Sequence, residues 1–358
     1  MKNGHILVIL TGGTICSAPK ADAGNKNQSN ATAAKAHILA DFAASVSPFA
    51  SAVSFEIRAL VPDVLSENIT LDVWNRLIDL FREVRWENYD GVIVLHGTDT
   101  LAYTACLLSM LLAGTPIPTV LVSSQLPLTK RDEDGREVRE ERTNGYANFR
   151  AAVELIKNGI APNVYAVYRN MDGRMLLHYG AHLLQCPNYS NDFHSYDEVE
   201  ISDTENARLA GRPFGGDTRY FETIGSLTPS VLLLVPYIGL DYARISTDGI
   251  CAVVHGTYHS DTVCVERKER SEPFSSASVL SLVDRCKAAK IPFFLAPCDK
   301  DAYAYASTGD ALDRGASYIP HTTLELAYVK TLVGVALGHG GAELEAFLRC
   351  EINHERLY

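Results

Sequence analysis

Two sharp turns, Thr11-Gly12-Gly13-Thr14 and His96-Gly97-Thr98-Asp99-Thr100, each carry threonine hydroxyls and each follow an apolar run, His5–Leu10 and Gly91–Leu95. A threonine hydroxyl is a feeble nucleophile until a base takes its proton, so hydroxyls gathered near a carboxylate are a pattern that can do chemistry. The glycines serve the same end, because backbone without a Cβ can approach a ligand closely and offer its N–H groups. Together the turns outline a threonine-based active site. Taken singly, each residue has a plainer use: Thr14 or Thr98 as a helix N-cap, Ser66 as the start of a capped helix, and Asp99 as a first-turn carboxylate worth ~0.5 kcal/mol against the helix dipole.

Such turns need strands and helices to position them. Leu71–Trp86, preceded by Thr70, repeats Val73, Trp74, Leu77, Ile78, Leu80, Phe81 and Val84 at helical spacing. Gly91–Leu95 then reads as a strand, Thr100–Ala113 as a helix closed by Gly114, Thr119–Ser123 as a strand, Ala147–Asn158 as a helix ended by Gly159, and Asn163–Tyr168 as a strand. Successive strand-helix units predict a mostly parallel sheet, whose carboxyl strand ends are where ligands collect and where both turns sit. Gly211, Pro213, Gly215, Gly216 and Pro229 interrupt any regular pattern, which predicts an interdomain linker. Beyond it Val231–Val235, Ile250–Val254, a helix near Ser275–Lys290, Pro292–Ala296 and a helix at Thr322–Leu337 resume the rhythm. The expected fold is α/β in two domains: a larger N-terminal mostly parallel sheet flanked by helices over 1–205, a linker over 206–228, and a smaller C-terminal parallel α/β domain over 229–358.

Bulk properties exclude several classes. A chain of 358 residues with 47% hydrophobic content can bury one large core or two ordinary ones. Net charge is −11 and no Lys/Arg stripe offsets it, so nucleic acid and anionic membrane are not expected partners. No apolar run approaches the ~18 residues that cross a bilayer, and Met1-Lys2-Asn3 leads into a strand rather than a signal sequence, so a cytoplasmic setting is expected. The eight cysteines are scattered, and no C-x-x-C or H-E-x-x-H occurs; reduced thiols and no metal are expected, with Cys16 packing in the core rather than acting as a nucleophile. The pairs His178/His182 and His255/His259 fall in strand and loop, where i, i+4 residues do not share a face. The run Lys130–Arg142, with five basic and six acidic residues, reads as a solvated loop or short exposed helix. Phosphate binding on Gly12-Gly13 is disfavoured, since no nucleotide-binding glycine motif occurs and Asp99 would repel a phosphate.

Thr11-Gly12-Gly13-Thr14-Ile15, His96-Gly97-Thr98-Asp99-Thr100, Ser66-Glu67-Asn68-Ile69-Thr70, Ser124-Gln125-Leu126-Pro127 and the late Thr322–Lys330 helix resemble the bacterial-type L-asparaginase/glutaminase family, which includes the amide-hydrolysing component of an archaeal tRNA-dependent amidotransferase. The resemblance implies hydrolysis of L-asparagine, or another side-chain amide, to the carboxylate and ammonia through a threonine acyl-enzyme. It implies Thr14 as nucleophile, Thr98 as second catalytic threonine, and Asp99 as catalytic carboxylate and receptor of the α-ammonium. Ser66, Glu67 and Ser124 join Thr98 and Asp99 in substrate binding. No cofactor is implied, and a homodimer or homotetramer is. Glutamate at 67 resembles the amidotransferase branch and would repel an α-carboxylate, which suits a substrate with that group masked.

Two features of the family pattern are absent. Relatives pair the nucleophile with a lysine and a lid tyrosine, yet no lysine lies between Lys157 and Lys268, and the first tyrosine is Tyr89. Gap placement puts Gln185 or His178 at the lysine position. Three readings follow: an imidazole, His178 or His182, serves as base; water or Asp99 assists Thr14; or the chain is a degenerate relative that binds an amino-acid ligand as a sensor or scaffold. The sparse segment Ser17–Lys35 is expected to be a mobile loop over the first turn.

Overall fold

Ile6–Leu10, Val92–Leu95 and Val120–Val122 are at most 2% exposed, the signature of strands covered on both faces by helices. The computed structural model describes residues 4–19, 27–29, 53–201, 211–266, 275–299 and 305–357. They belong to two units, Met1–Glu222 and Thr223–Tyr358.

In the first unit the elements run β1 (His5–Gly12), β2 (Ser17–Pro19), β3 (Asn27–Ser29), β4 (Ser54–Val64), α1 (Leu71–Arg82), β5 (Gly91–Leu95), α2 (Leu101–Leu111), β6 (Thr119–Val122), β7 (Thr129–Arg131), β8 (Glu137–Arg139), α3 (Gly145–Lys157), β9 (Val164–Arg169), β10 (Met175–Tyr179) and β11 (Val199–Glu200). The main sheet has the order β11-β10-β9-β6-β5-β1-β4, parallel from β9 to β4 and antiparallel at β10 and β11. Because β1 lies between β5 and β4, the chain segments leaving these three strands emerge side by side. Helix α2 has no polar face: all but Tyr103 of Leu101–Leu111 is buried.

The expected mostly parallel sheet is present, and three details differ from the sequence reading. β4 was not anticipated, because Phe55, Ile57 and Ala59 alternate with Glu56 and Arg58 on a half-exposed edge strand. The charges on that strand are satisfied locally: Tyr89 and Arg58 both donate to the Glu56 carboxylate. The charge run Lys130–Arg142 forms a hairpin, β7 paired antiparallel with β8, rather than a loop or helix. Its turn is shaped by Asp132 Oδ1, which accepts from the N–H groups of Asp134 and Arg136, and by Gly135 at φ 76°. Within the expected linker, the short helix α4 (Tyr220–Thr223) carries Phe221, which is 2% exposed and lies 5.7 Å from the Trp86 ring. Of the expected mobile loop Ser17–Lys35, only β2 and β3 are described, and they pair antiparallel.

The second unit contains β12 (Val231–Leu234), β13 (Ala252–Gly256), α5 (Val279–Ala288), β14 (Phe293–Cys298), α6 (Ala306–Arg314), β15 (Ser317–Pro320), α7 (Leu324–Ala336) and α8 (Gly341–Arg349). Its sheet, β12-β13-β14-β15, is parallel throughout. Lys330 on α7 is 3% exposed and pairs with Glu355 at 2.6 Å. Burial alone would raise the Glu355 pKa, but the Lys330 ammonium and the N–H groups of Asn353 and Ile352 hold it below the ordinary carboxylate range. Removing one partner of such a pair strands a buried charge, at about 3–5 kcal/mol, so Lys330 is a structural tie for the C-terminal segment. No helix among the described residues is long and apolar enough to cross a membrane.

Candidate active site

Backbone contact between the turns is what brings the candidate residues together. A Cβ on Gly13 would lie 2.3 Å from the Cα of Gly97, and one on Gly97 would lie 2.4 Å from Ser66 Oγ. The turns after β1, β4 and β5 therefore meet at positions where only glycine fits. Gly12 and Gly13 also adopt φ of 120° and 77°, a region that disfavours side chains. Gly13 N–H donates to Val64 O at 2.9 Å, fastening the first turn to the end of β4.

Six hydroxyls lie in these turns, and four are committed to the fold. Thr11 donates to Leu95 O, Ser17 to Gly13 O, and Thr100 to Ser66 O. Ser66, 2% exposed, donates to Asp99 Oδ2 at 2.7 Å and accepts from the Asp99 N–H at 3.1 Å. This reciprocal pair fixes the Asp99 side chain; a bond to a charged acceptor contributes about 1.5–3 kcal/mol. Thr14 and Thr98, both half-buried, have no hydrogen-bond partner for their hydroxyls among the described residues. Neither acts as an N-cap: Gly13 holds that position before the 3-10 turn Thr14–Cys16, and Thr100 holds it before α2. Cys16 is buried in the core of the first unit.

His96 is fully buried, and its Nδ1 lies 2.7 Å from Gly97 O. A carbonyl can only accept, so Nδ1 carries the proton and Nε2 presents a lone pair, which has no partner among the described residues. Burial pushes the His96 pKa down to about 4, against the opposing influence of the Gly97 carbonyl and Asp99, so the ring is neutral near pH 7.

A cavity of about 270 Å³ opens beside Thr98 and Asp99 and continues along Tyr168, Gln185, Cys186 and Tyr189. Gln185 Nε2 donates to the main-chain oxygen of Asp99, so an uncharged amide reaches this turn from the segment where gap placement sought the lysine. Sequence reasoning pointed to Gln185 but missed Tyr168, Cys186 and the 187–193 segment, which has no hydrophobic period to announce it.

The other candidates lie elsewhere. His178, on β10, is fully buried with Nδ1 2.8 Å from Ser195 Oγ, and burial, with His194 adding to it, pushes its pKa down to about 3. His182 lies 3.8 Å from Asp197. Neither lines the cavity beside Thr98 and Asp99. Ser124 is fully buried and donates to Leu126 O at 2.6 Å, shaping the turn after β6 instead of facing the cavity. Glu67 is exposed on the 3-10 turn Ser66–Asn68, outside the cavity wall.

Residues 5–182 match the family model described as "Asparaginase, N-terminal". The chain is similar to the L-asparaginase of Thermococcus kodakarensis, 32% identical over 173 residues that make up 48% of this chain and 45% of that one. It is also similar to a component of the glutamyl-tRNA(Gln) amidotransferase of Halobacterium salinarum, 31% identical over 278 residues covering 72% of this chain and 60% of that one. The matched stretches thus span less than two thirds of these relatives' own lengths. A solved structure of the Thermococcus kodakarensis L-asparaginase superposes with a TM-score of 0.75, covering 99% of both chains at 23% identity, a likeness of fold.

Proposed function

Residues 5–182 belong to the asparaginase family through its N-terminal domain, and from that premise we propose that the chain is an amidohydrolase acting on L-asparagine or a related side-chain amide. The observation that carries this reading is the pair of hydroxyls, Thr14 and Thr98, that have no partner among the described residues, beside four neighbours that are all hydrogen-bonded. In this proposal Thr14 Oγ1 attacks the amide carbon, its proton passes to the departing nitrogen, and ammonia leaves behind an ester. Water then adds to the ester carbon, restoring the Thr14 hydroxyl and releasing the carboxylate. Thr98 orients the amide, and Asp99, steadied by Ser66, takes the α-ammonium through a charge-assisted bond. Asp99 or a bound water assists proton transfer, His178 and His182 lying outside the cavity wall beside Thr98. The same reading includes a homodimer or homotetramer, no cofactor and a cytoplasmic setting.

A second reading, a binding protein without turnover, is favoured by one observation: Gln185, whose amide cannot act as a base, approaches Asp99 where relatives are expected to supply lysine. Ammonia release from L-Asn, L-Gln and D-Asn, measured in parallel with Thr14→Ala, separates the two. The hydrolase reading expects release from at least one amide, reduced by about three orders of magnitude or more in Thr14→Ala. Silence across the panel, with L-Asp still raising the melting temperature, would establish the binding protein.

A further inference from the structure

Tyr168 ends the buried part of β9 and forms part of the cavity wall beside Thr98, Asp99 and Gln185. Its side chain is 1% exposed, and its hydroxyl has no hydrogen-bond partner among the described residues. The ring itself is firmly held. Phe193 meets it edge-on at 4.8 Å and 65°, and Phe193 is pinned in turn by reciprocal bonds of 3.0 Å between its main chain and the Asn170 amide. Asn144, whose hydrogen-bonding influence eases the burial shift on Tyr168, accepts from Gln125 N–H and donates to Arg169 O, and makes no bond of ordinary geometry to the phenol.

A buried hydroxyl without a partner weakens a fold, and phenylalanine would fill the same volume without that cost. No hydrogen bond among the described residues accounts for tyrosine at this position, and the residue lies in the wall of the cavity. Burial, with Cys186 and Asp192 adding to it, pushes the phenol up to about 12, so the group stays protonated and can donate to an anionic or carbonyl oxygen. We propose that the Tyr168 hydroxyl is a binding donor reserved for a carboxylate or carbonyl oxygen of the amino-acid ligand held beside Thr98 and Asp99. The inference rests on the proposed function in so far as it takes the cavity for the ligand site. It adds a specificity-determining contact on a strand remote in sequence from both threonine turns.

Tyr168→Phe tests it through two readouts that a structural hydroxyl would move differently. The expected result is a ligand-free melting temperature equal to or above the parent's, together with about ten-fold weaker binding of L-aspartate by calorimetry. With L-Asn as substrate, KM should rise by a similar factor while kcat changes by less than about three-fold. A Phe variant that melts lower and binds L-aspartate like the parent would overturn the proposal, assigning the hydroxyl to the fold. Unchanged melting with unchanged binding would overturn it too, since the donor would then face only water. If the parent binds L-aspartate but releases no ammonia, the hydrolase reading fails while the binding comparison still decides the role of Tyr168. A parent that binds no L-aspartate removes the ligand site and the proposal with it.

Discussion

The tripeptide His-Gly-Thr stands at the carboxyl end of an interior parallel strand in both units: His96-Gly97-Thr98 after β5, and His255-Gly256-Thr257 at the end of β13. The two copies begin alike. Both imidazoles are fully buried, both direct Nδ1 to the carbonyl of the next glycine, at 2.7 and 2.6 Å, and burial pushes both pKa values down to about 4. They then diverge. His255 Nε2 lies 2.8 Å from the Tyr242 hydroxyl and Thr257 donates to Pro297 O at 2.6 Å, whereas His96 Nε2 and the Thr98 hydroxyl have no partner among the described residues. The first copy is also pressed by the neighbouring turns at Gly13 and Ser66, while at the second a Cβ would meet nothing nearer than 3.0 Å. A motif thus becomes a candidate site through what its surroundings leave unpaired, not through its letters.

The largest difference between the copies should appear on deleting the two threonine hydroxyls. Thr98→Ala is expected to lower kcat for amide hydrolysis by at least about 10³-fold with little change in melting temperature, because that hydroxyl has no hydrogen bond to lose among the described residues. Thr257→Ala should do the reverse, leaving kcat intact and costing at most about 1 kcal/mol in urea unfolding for one lost hydrogen bond. Equal kinetic effects from both variants would break the comparison.

The glycines should differ next most. A Cβ at Gly97 would sit 2.4 Å from Ser66 Oγ, 2.7 Å from its Cβ and 3.0 Å from Gly13 Cα. Ser66 is buried and doubly bonded to Asp99, so nothing there can move away cheaply, and Gly97→Ala should cost about 3 kcal/mol along with L-aspartate binding. At Gly256 the nearest atoms are Pro236 Cδ at 3.0 Å and Leu234 O at 3.3 Å, so Gly256→Ala should cost no more than about 1 kcal/mol and leave ligand binding unchanged. Urea midpoints and L-aspartate titrations of the two variants check this.

The sequence made the first copy legible and the second nearly invisible for the same physical reason. Unbroken apolar runs such as Val92–Leu95 and Val120–Val122 mark strands buried on both faces, and glycine-threonine turns mark the ends of such strands. Satisfaction of a hydroxyl by a carbonyl many residues away, as between Thr257 and Pro297, leaves no trace in local pattern. Tyr168 was hidden likewise: within Val164–Arg169 it reads as one more buried aromatic, and only the wall formed with Gln185 and the 187–193 segment distinguishes its hydroxyl. β4 was missed because an edge strand carries Glu56 and Arg58, whose charges pair with each other and are bridged by the hydroxyl of Tyr89, some thirty residues on. The reading of His178 and His182 as bases followed from gap placement against the family lysine and from titration chemistry, and the antiparallel β10 directs His178 to Ser195.

The smallest expected effect is the one that makes the second copy resemble the first. In Tyr242→Phe, His255 keeps its Nδ1 bond to Gly256 but loses the phenol that donates to Nε2, which reproduces the state of His96. An unpaired imidazole nitrogen in a neutral, fully buried ring should cost about 1 kcal/mol in urea unfolding. Ammonia release and L-aspartate affinity should stay at parental values, because Thr257 remains bonded to Pro297 O and Tyr258, rather than an aspartate, follows it. If Tyr242→Phe instead altered ligand affinity, the unpaired histidine nitrogen would itself be part of what makes a site, and the distinction between the copies would move from the threonine hydroxyl to the imidazole behind it.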